Sequence, residues 1–277
     1  MYREQKTRLT AYRKLTAGIR LLPDFIIISV ERGGTTSLYR YITAHPCVDP
    51  AFRKEVHYFD LNFTRGLSWY RAHFPTRWRA AWVSSRWRHR LLTGEASPYY
   101  LYHPWVPERI RETLPEVRLI ALLRNPVERA YSHYQMNRRQ GKEPLSFEGA
   151  IASEEERLRG EYDRLVRDAT YYSDNHYNFG YLTRGVYVDP LTRWGERFPA
   201  ERLLVLRSED LYLDPRETLL QVNCFLGLPE WEPARFRPYN QKPYSEIDPK
   251  TRRKLLDYFE PHNRRLYQYL GRDFGWS

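Results

Sequence analysis

Residues 31–38, Glu31-Arg32-Gly33-Gly34-Thr35-Thr36-Ser37-Leu38, gather two glycines, three hydroxyls and one guanidinium into a single turn. Glycine lets backbone N–H groups approach a ligand closely, and a helix that starts just after it directs its positive end the same way. Thr35, Thr36 and Ser37 add hydroxyl donors, and Arg32 adds a permanent charge. Such a turn is suited to holding an oxyanion. The G-x-x-x-x-G-K-[ST] spacing of a nucleoside-triphosphate loop is not met, and no G-x-G-x-x-G is present. Taken alone, a strand-to-helix turn that merely uses glycine fits equally well. A second candidate is Arg124, followed two turns later by Ser132, and its plain alternative is an arginine in a surface ion pair.

These candidates need elements that bring them together. Phe25 to Val30 (FIIISV) has the composition and length of a buried strand, and the helix after the glycines should stop near His45-Pro46. Val117 to Leu123 reads as a second buried strand. Asn125-Pro126-Val127-Glu128 follows it, with a capping residue, Pro at the first helical position and Glu three residues after the cap. Arg202 to Arg207 reads as a third strand, and Asp214-Pro215-Arg216-Glu217 repeats the capping pattern. Strands alternating with helices predict an α/β fold with a central, mostly parallel sheet flanked by helices on both faces. Both candidates then fall at its carboxyl edge, where such folds bind ligands. Two anion-reading strand ends point to a ligand with two separated phosphate-type groups.

The rest of the chain predicts one domain over 1–277, with a basic arm at 1–22 whose Leu9, Tyr12, Leu15, Ile19 and Leu22 share roughly one helical face. Glu154-Glu155-Glu156 reads as a solvent-facing helix, and a last helix from Asp248 to Leu270 should be interrupted near Pro261. Of 277 residues, 42% are hydrophobic and 16% aromatic, which excludes a disordered chain. Two cysteines, Cys47 and Cys224, exclude a disulfide framework or a multi-cysteine zinc site, and the histidines show no ligand spacing. The net charge is +11, carried by 38 arginines and seven lysines, and hints only at an anionic ligand. The apolar run Phe25–Ile28 is far too short to span a membrane, and the first twenty residues lack a signal-peptide core. The expectation is a cytoplasmic protein with neither membrane nor nucleic acid as partner.

Eight segments in order carry a resemblance: FIIISVERGGTTSLYRYITAHP (25–46), KEVHYFD (54–60), GLSWYRAHFP (66–75), GEASPYY (94–100), LIALLRNPVERAYSHY (119–134), GVYVDPLTRWGERFP (185–199), FLGLP (225–229) and PHNRRLYQYLGRDFGW (261–276). Together they resemble the sulfotransferases that use 3′-phosphoadenosine 5′-phosphosulfate (PAPS), above all the heparan-sulfate-type branch and its bacterial relatives. The resemblance implies a P-loop-like strand-turn-helix in which Arg32, Gly33, Gly34, Thr35, Thr36, Ser37 and Leu38 hold the 5′-phosphosulfate. It implies Arg124 with Ser132 on the 3′-phosphate, Tyr187 near the nucleotide and Glu55 as general base. The reaction it implies is in-line transfer of the sulfuryl group to a hydroxyl or amine of a small-molecule or carbohydrate acceptor. Adenosine 3′,5′-bisphosphate (PAP) leaves, Arg32 neutralises that leaving group, and no metal is needed.

Three positions depart from the family pattern. Arg32 stands where lysine is common, Glu95-Ala96-Ser97-Pro98 replaces E-K-T-P, and Asn240-Gln241-Lys242-Pro243-Tyr244 replaces a late phosphate-contacting loop. The last two count against heparan sulfate as acceptor. His57 competes with Glu55 for the base, since side chains two apart in an extended segment share a side and imidazole has the better ordinary pKa. An ion pair with Arg53 or Lys54 is the plain alternative for Glu55. Trp69, Trp78, Trp82, Trp87, Tyr171, Tyr172 and Tyr177 fit either an acceptor cleft or core packing. The rival functions are a P-loop-like kinase using ATP and magnesium, and a basic nucleic-acid-binding protein.

Overall fold

Alternation along the most apolar segment decides how the layers form. The structure, a computed structural model, describes residues 9–237, 239 and 245–276. In β1 (Phe25–Ile27), Phe25 and Ile27 join one core cluster, while Ile26, with Ile28 and Val30 just beyond, joins another. A central strand buried on both faces must be apolar at every position, as this one is. It pairs in parallel with β3 (Leu92–Ala96) on one side and β4 (Arg118–Leu123) on the other. β2 (Val48–Pro50) and β5 (Leu203–Arg207) form the edges, giving the order β2-β3-β1-β4-β5 with every pair parallel.

Helices cover both faces. Against Phe25, Ile27, Ile120 and Leu122 pack Leu38 and Ile42 of α2 (Thr35–Thr43) and Leu219 and Val222 of α8 (Pro215–Leu226). Against Ile26, Leu119, Ala121 and Leu123 pack α3 (Tyr58–Leu61), α5 (Val106–Thr113), α7 (Val188–Gly195) and α9 (Pro249–Leu270). α6 (Pro126–Arg139) follows β4, with the Asn125 side chain accepting from the Val127 and Glu128 amides. The two remaining labelled helices, α1 (Ala11–Leu15) and α4 (Arg77–Trp87), precede α2 and follow α3 in the chain. Chain order reverses between β1 and β4, so the loops leaving those strands lie side by side at the carboxyl edge.

Several expectations change. β2 and β3 are strands that the hydrophobic pattern hides, one with Pro at its end and one with buried Glu95 inside. α9 runs unbroken through Pro261, because Leu255, Phe259, Asn263 and Leu266 bury one continuous face on either side of it. Glu154 does not face solvent: it is buried and accepts from the Leu182 and Thr183 amides at 2.7 and 2.8 Å. In the arm, a five-residue helix and a 3-10 turn replace a continuous amphipathic helix, and Tyr12 and Leu15 point outward. Residues 1–8 and 240–244 lie outside the described residues. Among the described residues no helix is long and apolar enough to cross a membrane.

Candidate active site

The loop leaving β1 is shaped by two glycines with separate tasks. A Cβ on Gly33 would stand 2.8 Å from the Leu122 carbonyl of β4, so any side chain would push the strands apart. Gly34 has φ +88°, the left-handed conformation glycine adopts freely, and from it α2 begins. The first intrahelical bond there runs from the Leu38 N–H to the Gly34 carbonyl at 3.2 Å. That bond occupies the Leu38 amide, and the Leu38 side chain is in the core, so an anion would meet the turn at Thr35–Ser37 instead.

Arg32, Arg124 and Ser132 come together at the adjoining strand ends. Arg32 takes φ 69°, costly for a side-chain-bearing residue, and its Nε donates to Ser132 Oγ at 3.0 Å. Arg124 Nη1 donates to the Arg32 carbonyl at 3.2 Å. Tyr187 is fully buried and gives its hydroxyl to the Arg124 carbonyl at 2.7 Å, which makes it a support for that strand end. Behind Ser132, burial holds the His133 imidazole well below its usual pKa, and the nearby Arg129, Arg184 and Arg32 reinforce this. Its Nε2 lies 3.4 Å from Glu31, which also pairs with Arg184 at 3.0 Å.

The KEVHYFD segment crosses in front of the loop. Lys54 Nζ donates to Thr36 Oγ1 at 3.0 Å and approaches Thr35 Oγ1 at 3.4 Å. The cation over the loop hydroxyls is therefore Lys54, while the Arg32 guanidinium turns toward Ser132. Lys54 also pairs with Glu55 at 2.8 Å, and His57 Nε2 lies 3.5 Å from the other Glu55 oxygen. Burial raises the Glu55 carboxyl, but the His57 hydrogen bond and the Lys54 charge outweigh it and bring it down to about 2. With 44% of its side chain exposed, Glu55 is an open, ionised acceptor, and water screens its pairing.

His57 is held on every side. Its Nδ1 meets Asp60 Oδ2 at 2.7 Å, its N–H donates to Ser97 Oγ at 3.2 Å, and its carbonyl accepts from Asn62 at 2.8 Å. These contacts sustain φ 52° at His57; among the described residues only Arg32 and Arg88 are the other non-glycines with positive φ. Beneath lies Glu95 of β3, wholly buried. It accepts from the hydroxyls of Tyr70 (2.7 Å), Ser97 (2.7 Å) and Tyr100 (3.1 Å), and from the Val56 N–H (3.1 Å). Burial pushes its carboxyl up to about 7 against those hydrogen bonds.

Sequence reasoning missed Lys54, Asp60 and Glu95 as site residues. All three lie in segments that carry the resemblance, KEVHYFD and GEASPYY, and His57 and Asp60 also have i,i+3 spacing, but the hydrophobic pattern gives no sign that Glu95 sits inside a buried strand. Beyond Asp60 lies a cavity of about 660 Å³, bordered by Phe63, Trp105, Arg109, Tyr171 and Tyr172. Arg109 donates to the Phe59 and Ala169 carbonyls at 2.7 and 2.8 Å, so its guanidinium is engaged within the wall. Among the described residues no cluster of three His, Cys, Asp or Glu is placed to hold a metal.

This geometry can be set beside known proteins. A family model described as "Sulfotransferase domain" matches residues 22–246. The mouse heparan sulfate glucosamine 3-O-sulfotransferase 3B1 is 30% identical over 94% of this chain and 66% of its own length. The membrane-associated sulfotransferase kil1 of Dictyostelium discoideum is 28% identical over 92% of this chain and 67% of its own. The chain thus spans about two thirds of the length of these relatives. A crystal structure of a sulfotransferase from Alicyclobacillus acidocaldarius superposes with TM-score 0.70 at 28% identity, covering 92% of this chain and 99% of that one. With a family model over most of its length and a solved relative of the same fold, the chain belongs to the sulfotransferase family.

Proposed function

We propose that the protein moves the sulfuryl group of PAPS to a hydroxyl or amine of a carbohydrate or small-molecule acceptor, releasing PAP. The observation that carries this reading is the hydrogen-bonded meeting of Arg32, Arg124 and Ser132 at the β1–β4 edge, with Lys54 and Glu55 facing the same loop. The Thr35–Ser37 amides and Lys54 receive the 5′-phosphosulfate, and Arg124 with Ser132 receives the 3′-phosphate. The sulfur–oxygen bond to the leaving phosphate breaks as the bond to the acceptor forms. Lys54 and Arg32 balance the charge that grows on that phosphate. Glu55 takes the acceptor proton. A carboxyl held near 2 is a weak base, so the proton moves late, when the new bond has made it acidic. His57, fixed by Asp60, holds Glu55 in place.

The mouse relative's name specifies heparan sulfate glucosamine as its acceptor. For this chain we place the acceptor at the cavity beyond Asp60, whose aromatic walls suit a sugar face or a phenol. The test is conversion of PAPS to PAP in the presence of candidate sugar, phenol and amine acceptors, with labelled sulfate recovered on the product. A phosphorylated product formed from ATP and magnesium, with PAPS inert, would turn the reading to the kinase alternative. Salt-dependent nucleic-acid binding that PAP does not displace would turn it to the other.

A further inference from the structure

The apolar runs of the chain are too short to predict membrane contact, but the surface of α4 argues for it. Trp78, Trp82 and Trp87 are 74%, 58% and 50% exposed, while Val83 is the helix's one buried residue. An indole gains more from burial than almost any other side chain, so three left outward on eleven residues need a cause. Trp78 and Trp82 stand one turn apart along one line of the helix, away from the side that Val83 buries.

The charge around them has one sign. From Leu61 to Gly94 the chain has seven arginines and not one Asp or Glu. Arg79 is engaged, paired with Asp49 at 2.9 Å with its guanidinium 4.8 Å over the Trp82 ring. Arg77, Arg86 and Arg88 are exposed and, among the described residues, form no ion pair. Alongside, the Leu21 N–H bonds to the Pro75 carbonyl at 2.9 Å and Arg20 bridges to Thr76, anchoring the N-terminal segment beside the start of α4. That segment adds Leu15, 87% exposed.

Indoles settle at the boundary between lipid headgroups and acyl chains, and arginines around them reach lipid phosphates. A single-stranded nucleic acid would also use both residue types, but it stacks bases along a groove, and α4 presents a convex helix. We propose that α4 docks the protein peripherally on an anionic lipid surface, with Trp78 and Trp82 in the headgroup layer and Arg77, Arg86 and Arg88 on the phosphates.

Co-sedimentation with vesicles of phosphatidylcholine, with and without phosphatidylserine, tests this. The protein should partition onto the serine-lipid vesicles roughly 10-fold more strongly than onto phosphatidylcholine alone, and salt should weaken the binding. Trp78→Ala with Trp82→Ala should lower partition about 10-fold, and Arg77→Gln, Arg86→Gln and Arg88→Gln together should remove the preference for the anionic lipid. Thermal unfolding should stay unchanged in both variants, which separates lost docking from lost folding. Failure to bind anionic vesicles, or partition indifferent to the tryptophan pair, would overturn the proposal. So would single-stranded RNA that competes the protein off the vesicles, or a dimer of this chain that the tryptophan variant dissolves.

Discussion

The β1–β4 edge and the Lys54–Asp60 segment meet at the hydroxyls of Thr35 and Thr36, yet they hold their atoms in place by different means. The first consists of backbone amides and guanidinium groups on strand ends that the sheet itself fixes. The second is a short crossing segment that runs into α3 and has no strand of its own. Its carboxylates and imidazole are held by a buried stack, Asp60 beside His57 and Glu95 beneath Val56 and Ser97. An anion can be gripped by rigid, permanently charged groups. A proton must be taken by a group that titrates, and such a group needs tuned neighbours. The difference teaches that the edge should set affinity for the donor, and the segment the rate.

The sharpest way to break that division is at Glu55. Glu55→Gln keeps the shape and removes the proposed base, so turnover should fall about 100-fold or more while calorimetry shows unchanged PAP affinity. An active Glu55→Gln alongside a folded but inactive His57→Gln would pass the proton to the histidine.

Lys54 and Arg32 lie where the two regions join, and their variants sharpen the boundary. Lys54→Met removes the cation over Thr36, and turnover should drop roughly 10-fold or more with a smaller loss of donor affinity. Arg32→Ala should also lower turnover more than affinity. It should act partly through Ser132, so Arg32→Lys restores only part of the rate. Lys54→Met with wild-type turnover, measured by PAP release, would return the neutralising role to Arg32 and the loop amides alone.

What the sequence disclosed follows the same division. The β1–β4 edge was legible because Phe25–Val30 and Val117–Leu123 are apolar and the loops after them carry glycine, Arg and a capped helix start, all local signals. The support of the segment was not. β3 reads Leu-Thr-Gly-Glu-Ala, which looks like a turn until the fold buries Glu95 under three hydroxyls. Lys54 reaches Thr36 only through tertiary placement, and nothing in the spacing of 36 and 54 announces it. Pro261 misled for the opposite reason: its local rule is real, but the buried face of α9 overrides it.

A smaller effect tests the buried support. The Glu95 carboxyl titrates at about 7 in the fold against an ordinary 4.5, so the folded state holds a proton that the unfolded chain releases. Its contribution is therefore full below the ordinary carboxylate range and is lost as pH rises toward 7, on the order of 3 kcal/mol in all. Denaturant unfolding of wild type and Glu95→Gln across that interval should show the wild type losing stability relative to the variant. Parallel curves would mean that Glu95 titrates as an ordinary carboxylate.

If the β1–β4 edge reads two phosphates as proposed, the second is held through Arg124. Titration calorimetry of PAP and of adenosine 5′-phosphate, on wild type and on Arg124→Ala, tests it most directly. Wild-type protein should bind PAP more tightly than the monophosphate. Arg124→Ala should lose about 1.5–3 kcal/mol of PAP binding and far less for the monophosphate. Equal losses for both ligands, or wild-type protein that does not distinguish them, would contradict it.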